Sequence, residues 1–280
     1  MSNAVPLRRA VSADRAGIEA LLRRHETSSM FPLVNLRDAT MRGQGARMQV
    51  WVAPGIAGMV GLTDRGMLVP QWPQGDWTAL RALEGCRVSG IVGPADQVGA
   101  LRTAMGWGDA LLRHASDEPG FRLTLADLVV PDCDGWTLHD VDEDVETVTR
   151  WRAAYQTEVF AMDAATAART AAAEVARWIA IRSHRLLRHR GVAVALSGFN
   201  AVLPEVVQVG GVYVPPDRRG QGQARRVVGL HLAEARAAGV DRAVLFAASE
   251  AAARAYAALG FLPEGRMGLA LFHSPQEVTE

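Results

Sequence analysis

The junction "VVQVGGVYVPPDRRGQGQARRVVGLHLAEARAAG", Val206 to Gly239, constrains this chain more than any other stretch. An apolar, strand-like run ends in Pro215 and Pro216, and two arginines and two closely spaced glycines precede a helical pattern. Ala224, Val228, Leu232 and Ala235 fall on one helical stripe, and Gly239 sits where a C-terminal glycine cap belongs. The first backbone N–H groups of a helix have no internal partner, and the helix dipole adds positive character there. Glycine allows an anion to approach and permits the positive φ angles that curl successive N–H groups into a nest. "RRGQGQA" therefore reads as a phosphate cradle, with Arg219 adding fork-shaped donors, or as a tight strand–helix turn that needs glycine. Two other anion motifs fail: no Lys follows Gly222 as a P-loop requires, and Arg225 stands at the third glycine of a dinucleotide fingerprint.

The chain around this junction has 280 residues, enough for two ordinary domains, and 49% are apolar. Thirty acidic and thirty basic residues balance. The chain thus has no global field for nucleic acid or an anionic membrane, and neither is expected as a partner. Cys86 and Cys133 lie far apart in no metal-like spacing, which suits a reducing cytoplasm. No apolar run reaches membrane-span length, and the start lacks a signal-peptide core.

Strand-like and helix-like segments alternate through both halves. In the first, "LRRAV" precedes the helical "SADRAGIEALLRRH" and "PLVNLRDATMR". Three strands follow, then the helical "DWTALRALE", the strand "RVSGIVGP", the helix "ADQVGALRTAMG" and the strand "EPGFRLTLADL". The tract "VVPDCDGW" interrupts, and the pattern begins again. "WTLHDVD" reads as a strand, and Val145 to Leu187 as two helices broken near "FAMDAA". "GVAVALSGF" is a strand, "NAVLPE" a turn, and "VVQVGGVYV" a strand before the glycine helix. "RAVLFAA", "SEAAARAYAALG" and "FLPEGRMGLALF" complete the half as strand, helix and two strand pieces. We expect a mixed α/β chain of two similarly built domains, residues 1–132 and 133–280.

At the junction the sequence closely resembles the GNAT superfamily of acyl-CoA-dependent N-acetyltransferases. The family's Arg/Gln-x-x-Gly-x-Gly/Ala signature is matched by Arg219, Gly222 and Ala224. A second signature, Asn-x-x-Ala-x-x-x-Tyr-x-x-x-Gly-Phe, is matched by Ala252, Tyr256, Gly260 and Phe261, with Ser249 in place of Asn. The resemblance spans about residues 135–275. It implies, for each domain, a mostly antiparallel central sheet with a splayed parallel pair, flanked by helices. Acetyl-CoA is implied as co-substrate, with no metal. Backbone groups of Val212, Tyr213 and Val214 would pair with the pantetheine, Gly210 and Gly211 would form a bulge, and Arg219, Gly220, Gln221, Gly222, Gln223 and Ala224 would hold the pyrophosphate. Ser249 stands where a cofactor contact is usual, and Arg225 and Arg226 read as solvated.

Tyr256 matches the family's general acid, a phenol beside the leaving thiolate. The base is either Glu205, which begins the bulged strand, or a water that Gln208 could hold; Glu205 reads equally as a turn residue. Asn200 reads as a turn former and Glu158 as a solvated acid. His184, His189 and His231 read as structural or exposed. The first half keeps the element order without the signatures: "MLVPQWPQGDWTAL" has only Gly75 and no arginine, and the later helix has Met105 but no tyrosine. It is expected to be a degenerate copy without a cofactor site. The implied activity is transfer of an acetyl group to a primary amine, of a small molecule or peptide, in a ternary complex in the cytoplasm. A non-catalytic acyl-CoA sensor or scaffold is the alternative, and a homodimer stays open.

Overall fold

The computed structural model describes residues 6–38 and 48–279. Contacts divide the chain into two compact units, residues 1–120 with 265–280, and Phe121–Glu264. This differs from a cut at 132/133, and the reason lies in the C-terminus. Residues Met267–Glu277 pair antiparallel with Pro94–Arg87, so the last strand belongs to the first unit.

In the first unit β1 (Arg8–Arg9) leads to α1 (Arg15–Arg24) and α2 (Glu26–Asp38). These are followed by β2 (Met48–Val52), β3 (Met59–Thr63), β4 (Met67–Gln71), β5 (Arg87–Pro94), α3 (Ala95–Ala104) and β6 (Leu112–Thr124), which carries the chain into the second unit. The helix expected over "PLVNLRDATMR" begins earlier than its pattern, at Glu26, and its end beyond Asp38 lies outside the described residues. "DWTALRALE" forms a 3-10 helix, Trp77–Leu83, instead of an α-helix. Its core gathers Trp51, Val60, Leu68, Leu80, Ile91 and Leu101.

The second unit continues with β7 (Trp136–Asp140), α4 (Val145–Phe160), α5 (Ala164–Ile181), β8 (His184–His189), β9 (Val192–Val202) and β10 (Val206–Tyr213). Then come α6 (Gln223–Ala237), β11 (Arg242–Phe246) and α7 (Glu250–Ala257), after which β12 (Leu262–Glu277) returns the chain to the first unit. Its strands lie in the order β6-β11-β10-β9-β8-β7. One face packs under α6 and α7, with Val207, Val209, Leu245, Val228, Leu232 and Leu259 in one cluster. The other packs under α4 and α5, where Val148, Trp151 and Val175 meet Leu186, Leu196 and Tyr213.

The helix break expected near "FAMDAA" is present: Ala161 adopts the left-handed conformation after α4, and Asp163 caps α5 by accepting from the Thr166 N–H. The helical reading to Leu187 is corrected, because residues 184–189 form β8. The turn expected over "NAVLPE" is also corrected. β9 runs through Asn200 to Val202, and the chain turns only at Leu203–Glu205. "FLPEGRMGLALF" is one strand, β12, not two. Among the described residues no helix is long and apolar enough to cross a membrane.

The Gly-Phe end of the second signature has a structural cause. Gly260 leaves α7 with φ +98°, and a Cβ there would stand 2.9 Å from the Asp127 carbonyl. Gly260→Ala combines backbone strain with a backbone clash and should cost about 2–4 kcal/mol. The check is a lower urea midpoint for the second unit with an unchanged slope.

Candidate active site

β10 and β11 run parallel, with pairs Val206–Arg242, Val207–Ala243 and Gln208–Val244. There the ladder ends, although β10 continues to Tyr213. On its other edge β10 stays paired to β9 through two register shifts, one on either side of Val209–Gly210, and Gly211 takes φ +64°. The bulges turn β10 away from β11. The backbone groups of Val209 to Tyr213 that face β11 are thus released from the parallel ladder.

The glycine loop lies just beyond. Gly220 (φ +77°) and Gly222 (φ +80°) are both left-handed, and α6 starts at Gly222 with no side-chain cap. Residues 219–222 are exposed, and a Cβ on Gly220 would meet nothing within 4 Å. A helix start with exposed, uncapped N–H groups beside two left-handed glycines suits a diphosphate. At Gly222 a Cβ would also come within 2.9 Å of Arg226 Nη1.

The arginines play parts that the sequence did not disclose. Arg219 donates from Nη1 and Nη2 to the two oxygens of Glu158, at 2.8 and 2.7 Å, and from Nε to the Val214 carbonyl at 3.0 Å. This pairing lowers the Glu158 carboxyl below its ordinary range. Glu158 is therefore an ion-pair partner at the end of α4, and the Arg219 fork is engaged with it. Arg226 is a brace instead of a solvated residue. It donates to the carbonyls of Gln221 and Asp132 and lies 4.6 Å over the Trp136 ring. Gln223 is buried, its amide donating to the Gln221 side chain.

Tyr256 is buried on α7 in the same core cluster as Val209, Leu245 and Ala247, which links it to both splayed strands. Ser249 caps α7 by accepting from the Ala252 N–H at 3.2 Å. The Tyr213 side chain turns to the opposite face, near Trp151 and Tyr155, so only its backbone faces the splay. Glu205 is not brought to this site. It opens β10 where the ladder is intact, its carbonyl accepts from Asp241 and Arg242 N–H groups, and its carboxylate lies 4.0 Å from Arg242. At about 3.3 Å per residue it stands roughly 20 Å along the strand from Gly211.

Sequence reasoning passed over the α4/α5 face of the bulge. His184, 2% exposed, is stacked on Trp178 with ring centroids 3.7 Å apart, and its Nδ1 lies 2.9 Å from Ser183 Oγ. Burial, then the charges of Arg152 and Arg185, push its pKa down to about 3. His231 is buried on the other face, stacked on Phe199, and is also held well below its ordinary value by burial. The only signal in the sequence was the pair of glycines, Gly198 and Gly211, that make room for the His184 ring.

The first unit repeats the splay without the cradle. β4 and β5 pair in parallel only at Met67–Gly90 and Leu68–Ile91. The Trp72 N–H, just past β4, donates to Gln97 of α3, and Ser28 and Ser29 donate to Gln71. Trp72 and Trp77 pack edge to face at 5.6 Å. The 3-10 helix that replaces a glycine helix is capped by the Asp76 carboxylate, an anion already at that helix start.

With the geometry in view, the comparisons are specific. The model of the Acetyltransferase (GNAT) family matches residues 145–261. No curated protein matches the chain. Among solved structures, a GCN5-related N-acetyltransferase from Sphaerobacter thermophilus has TM-score 0.57 at 17% identity, covering 98% of this chain and 96% of that one. One from Kribbella flavida has TM-score 0.55 at 17% identity, covering 95% and 97%. A tandem GNAT protein from the clavulanic acid biosynthesis pathway has TM-score 0.54 at 16% identity, covering 98% of each chain. At these identities the likeness is one of fold.

The buried histidines set an acid limit on stability. Their folded-state pKa values are depressed, so the unfolded chain binds more protons below about pH 6.5. For His184 the stabilisation is complete above that pH and declines as pH falls from 6.5 towards 3, and His231 acts in the same direction. Each histidine should steepen the loss by up to about 1.4 kcal/mol per pH unit. Urea titrations across pH 4–7 should give a shallower slope for His184→Gln than for the parent.

Proposed function

We propose, from the match of residues 145–261 to the model of the Acetyltransferase (GNAT) family, that the protein is an acetyl-CoA-dependent N-acetyltransferase acting on a primary amine. The observation that supports this most is the parting of β10 from β11 beside the uncapped, glycine-lined start of α6. An extended chain with two amides fits the first feature, as an added strand would, and a diphosphate fits the second. When bound, acetyl-CoA supplies the reactive thioester.

The chain's own residues have distinct tasks in this proposal. Backbone groups of Val212 and Tyr213 pair with the extended arm; the Val214 carbonyl is already engaged by Arg219. The N–H groups from Gly220 to Ala224 hold the diphosphate, with Arg226 fixing the loop. Tyr256, a phenol, delivers a proton to the departing sulfur. Glu205 lies just ahead of the paired part of β10, roughly 20 Å along the strand from Gly211. That separation is also what favours the second reading, an acyl-CoA sensor without turnover. The first unit we propose to be a degenerate copy, since Gln97 and Asp76 occupy the positions a cofactor's amide and phosphate would need. The cytoplasmic setting stays part of the proposal.

Calorimetry on the whole chain should register one acetyl-CoA per molecule, and Gly222→Val should abolish it. Two sites per chain would overturn the degenerate reading. In a thiol-release assay over a panel of amines, Tyr256→Phe should lower kcat roughly 100-fold while leaving the acetyl-CoA Kd nearly unchanged. Tight binding without release for any amine would favour the sensor.

A further inference from the structure

We infer that the acceptor nitrogen is held as an uncharged amine against His184 Nε2 and Gln208 Oε1, on the α4/α5 face of the β10 bulge, and that the substrates are weakly basic amines. This rests on the N-acetyltransferase reading and adds to it the acceptor class and the residues that choose it.

The argument begins with a row across three strands. His184 pairs with Gly198, and Gly198 with Gly210. Directly opposed residues share a face of a sheet. Since Gly198 has no side chain, the His184 ring lies over it and reaches the bulge, where a Cβ on Gly211 would stand 3.3 Å from Nε2. Asn200 lies over Gly210. Gln208, the last residue of the parallel ladder, is 3% exposed and borders the first register shift, on the same face and just ahead of the second shift, at Gly210–Tyr213, that His184 reaches.

Buried side-chain polar atoms are hydrogen-bonded in the large majority of cases, so each exception calls for a cause. His184 Nε2 and Gln208 Oε1 are both buried without a partner among the described residues. Both border the segment where β10 has left β11. The Gln208 oxygen can only accept. His184 Nδ1 can donate to Ser183 Oγ, which leaves the Nε2 lone pair facing the bulge. Two acceptors suit the two N–H bonds of a free amine, and the nitrogen lone pair stays available for attack.

The surrounding charges disfavour an ammonium. Arg152 of α4 and Arg185 of β8 are the charged groups that act on His184, and His231 faces it from the α6 side as a neutral ring. The carboxylates of α4 and α5 nearest this face are engaged: Glu174 accepts from Arg152 and Gln156, and Glu158 from Arg219. A cation here would meet arginines already paired with carboxylates and no carboxylate left open to balance it. The reaction itself needs no net base when the amine arrives neutral. The N–C bond forms as the C–S bond breaks, Tyr256 gives its proton to the sulfur, and the proton that the nitrogen sheds passes through solvent to restore the phenol.

At pH 7 an α-amino group, with pKa near 8, supplies roughly two hundredfold more free base than an alkylamine near 10.4. The test uses the full chain with aniline, glycinamide and n-butylamine from pH 6.5 to 9. Aniline and glycinamide should exceed n-butylamine in kcat/KM at pH 7 by at least about tenfold. The n-butylamine rate should climb with pH along that amine's own ionisation. Gln208→Leu should raise the glycinamide KM about tenfold, one hydrogen bond's worth, with the acetyl-CoA Kd unchanged. His184→Phe should do the same and His184→Gln should recover part of the loss. In the parent with CoA bound, glycinamide should move the His184 Nε2 nitrogen resonance. Preference for n-butylamine at pH 7, or a still resonance together with parent-like KM in Gln208→Leu, overturns this inference while retained acetyl-CoA binding keeps the acetyltransferase reading. A parent that fails to bind acetyl-CoA overturns both.

Discussion

The second unit is organised around a ladder that stops. Backbone N–H and C=O groups are obligatory hydrogen-bonding groups, and a strand seldom leaves a neighbour inside a sheet without handing those groups to something else. β10 leaves β11 after Gln208, yet it remains attached to β9 by two register shifts. The departure is therefore enforced by the bulge and not by a weak edge. It decides where the following glycine turn lies, where α6 begins, and which face Gln208 and Tyr213 present. A smooth ladder from Val206 to Tyr213 would carry the parallel pairing past Gln208 and close the opening.

The two units share this device and resolve it differently. In the first, β4 and β5 separate after two paired residues, but side chains of the same unit take up the freed groups. Gln97 accepts from the backbone just past β4, two tryptophans pack together there, and a carboxylate caps the short helix that follows. In the second, the corresponding turn has two left-handed glycines and no side-chain cap. Equal topology with opposite local chemistry is what the proposal of one ligand-binding copy and one degenerate copy rests on.

Much of the second unit was legible because its determinants are local. The stripe on α6, the glycine turn, the Gly239 cap and the Tyr-x-x-x-Gly-Phe spacing each sit within one or two helical turns of sequence. β8 was not legible. "HRLLRHR" has one inward leucine for each face, Leu186 and Leu187, so it lacks the alternation of a half-exposed strand. Charged residues such as Arg185 find partners on distant elements, Glu234 of α6 and Asp140 of β7. Asn200 looked like a turn former because its place in β9 depends on a bulge created by pairing with β10. The C-terminal strand has the same character: nothing in "GLALF" says that its partner is β5, almost two hundred residues earlier.

Arg219 illustrates how far a signature residue can be trusted to mean its side chain. Both its own side chain and that of Glu158 are 46% exposed, and an ion pair of that kind contributes at most about 1 kcal/mol. Its value is geometric. Three donors fix the guanidinium between the Val214 carbonyl and the end of α4, so the turn carrying Gly220 and Gly222 is held at both its start and, through Arg226, its finish. With that charge neutralised by Glu158, attraction for a diphosphate falls mainly to backbone N–H groups and the helix dipole. Those groups are fixed by the fold before any ligand arrives. A loop held in this way would lose little conformational freedom on binding, so under the proposed function two glycines, normally a source of disorder, act as a rigid receptor.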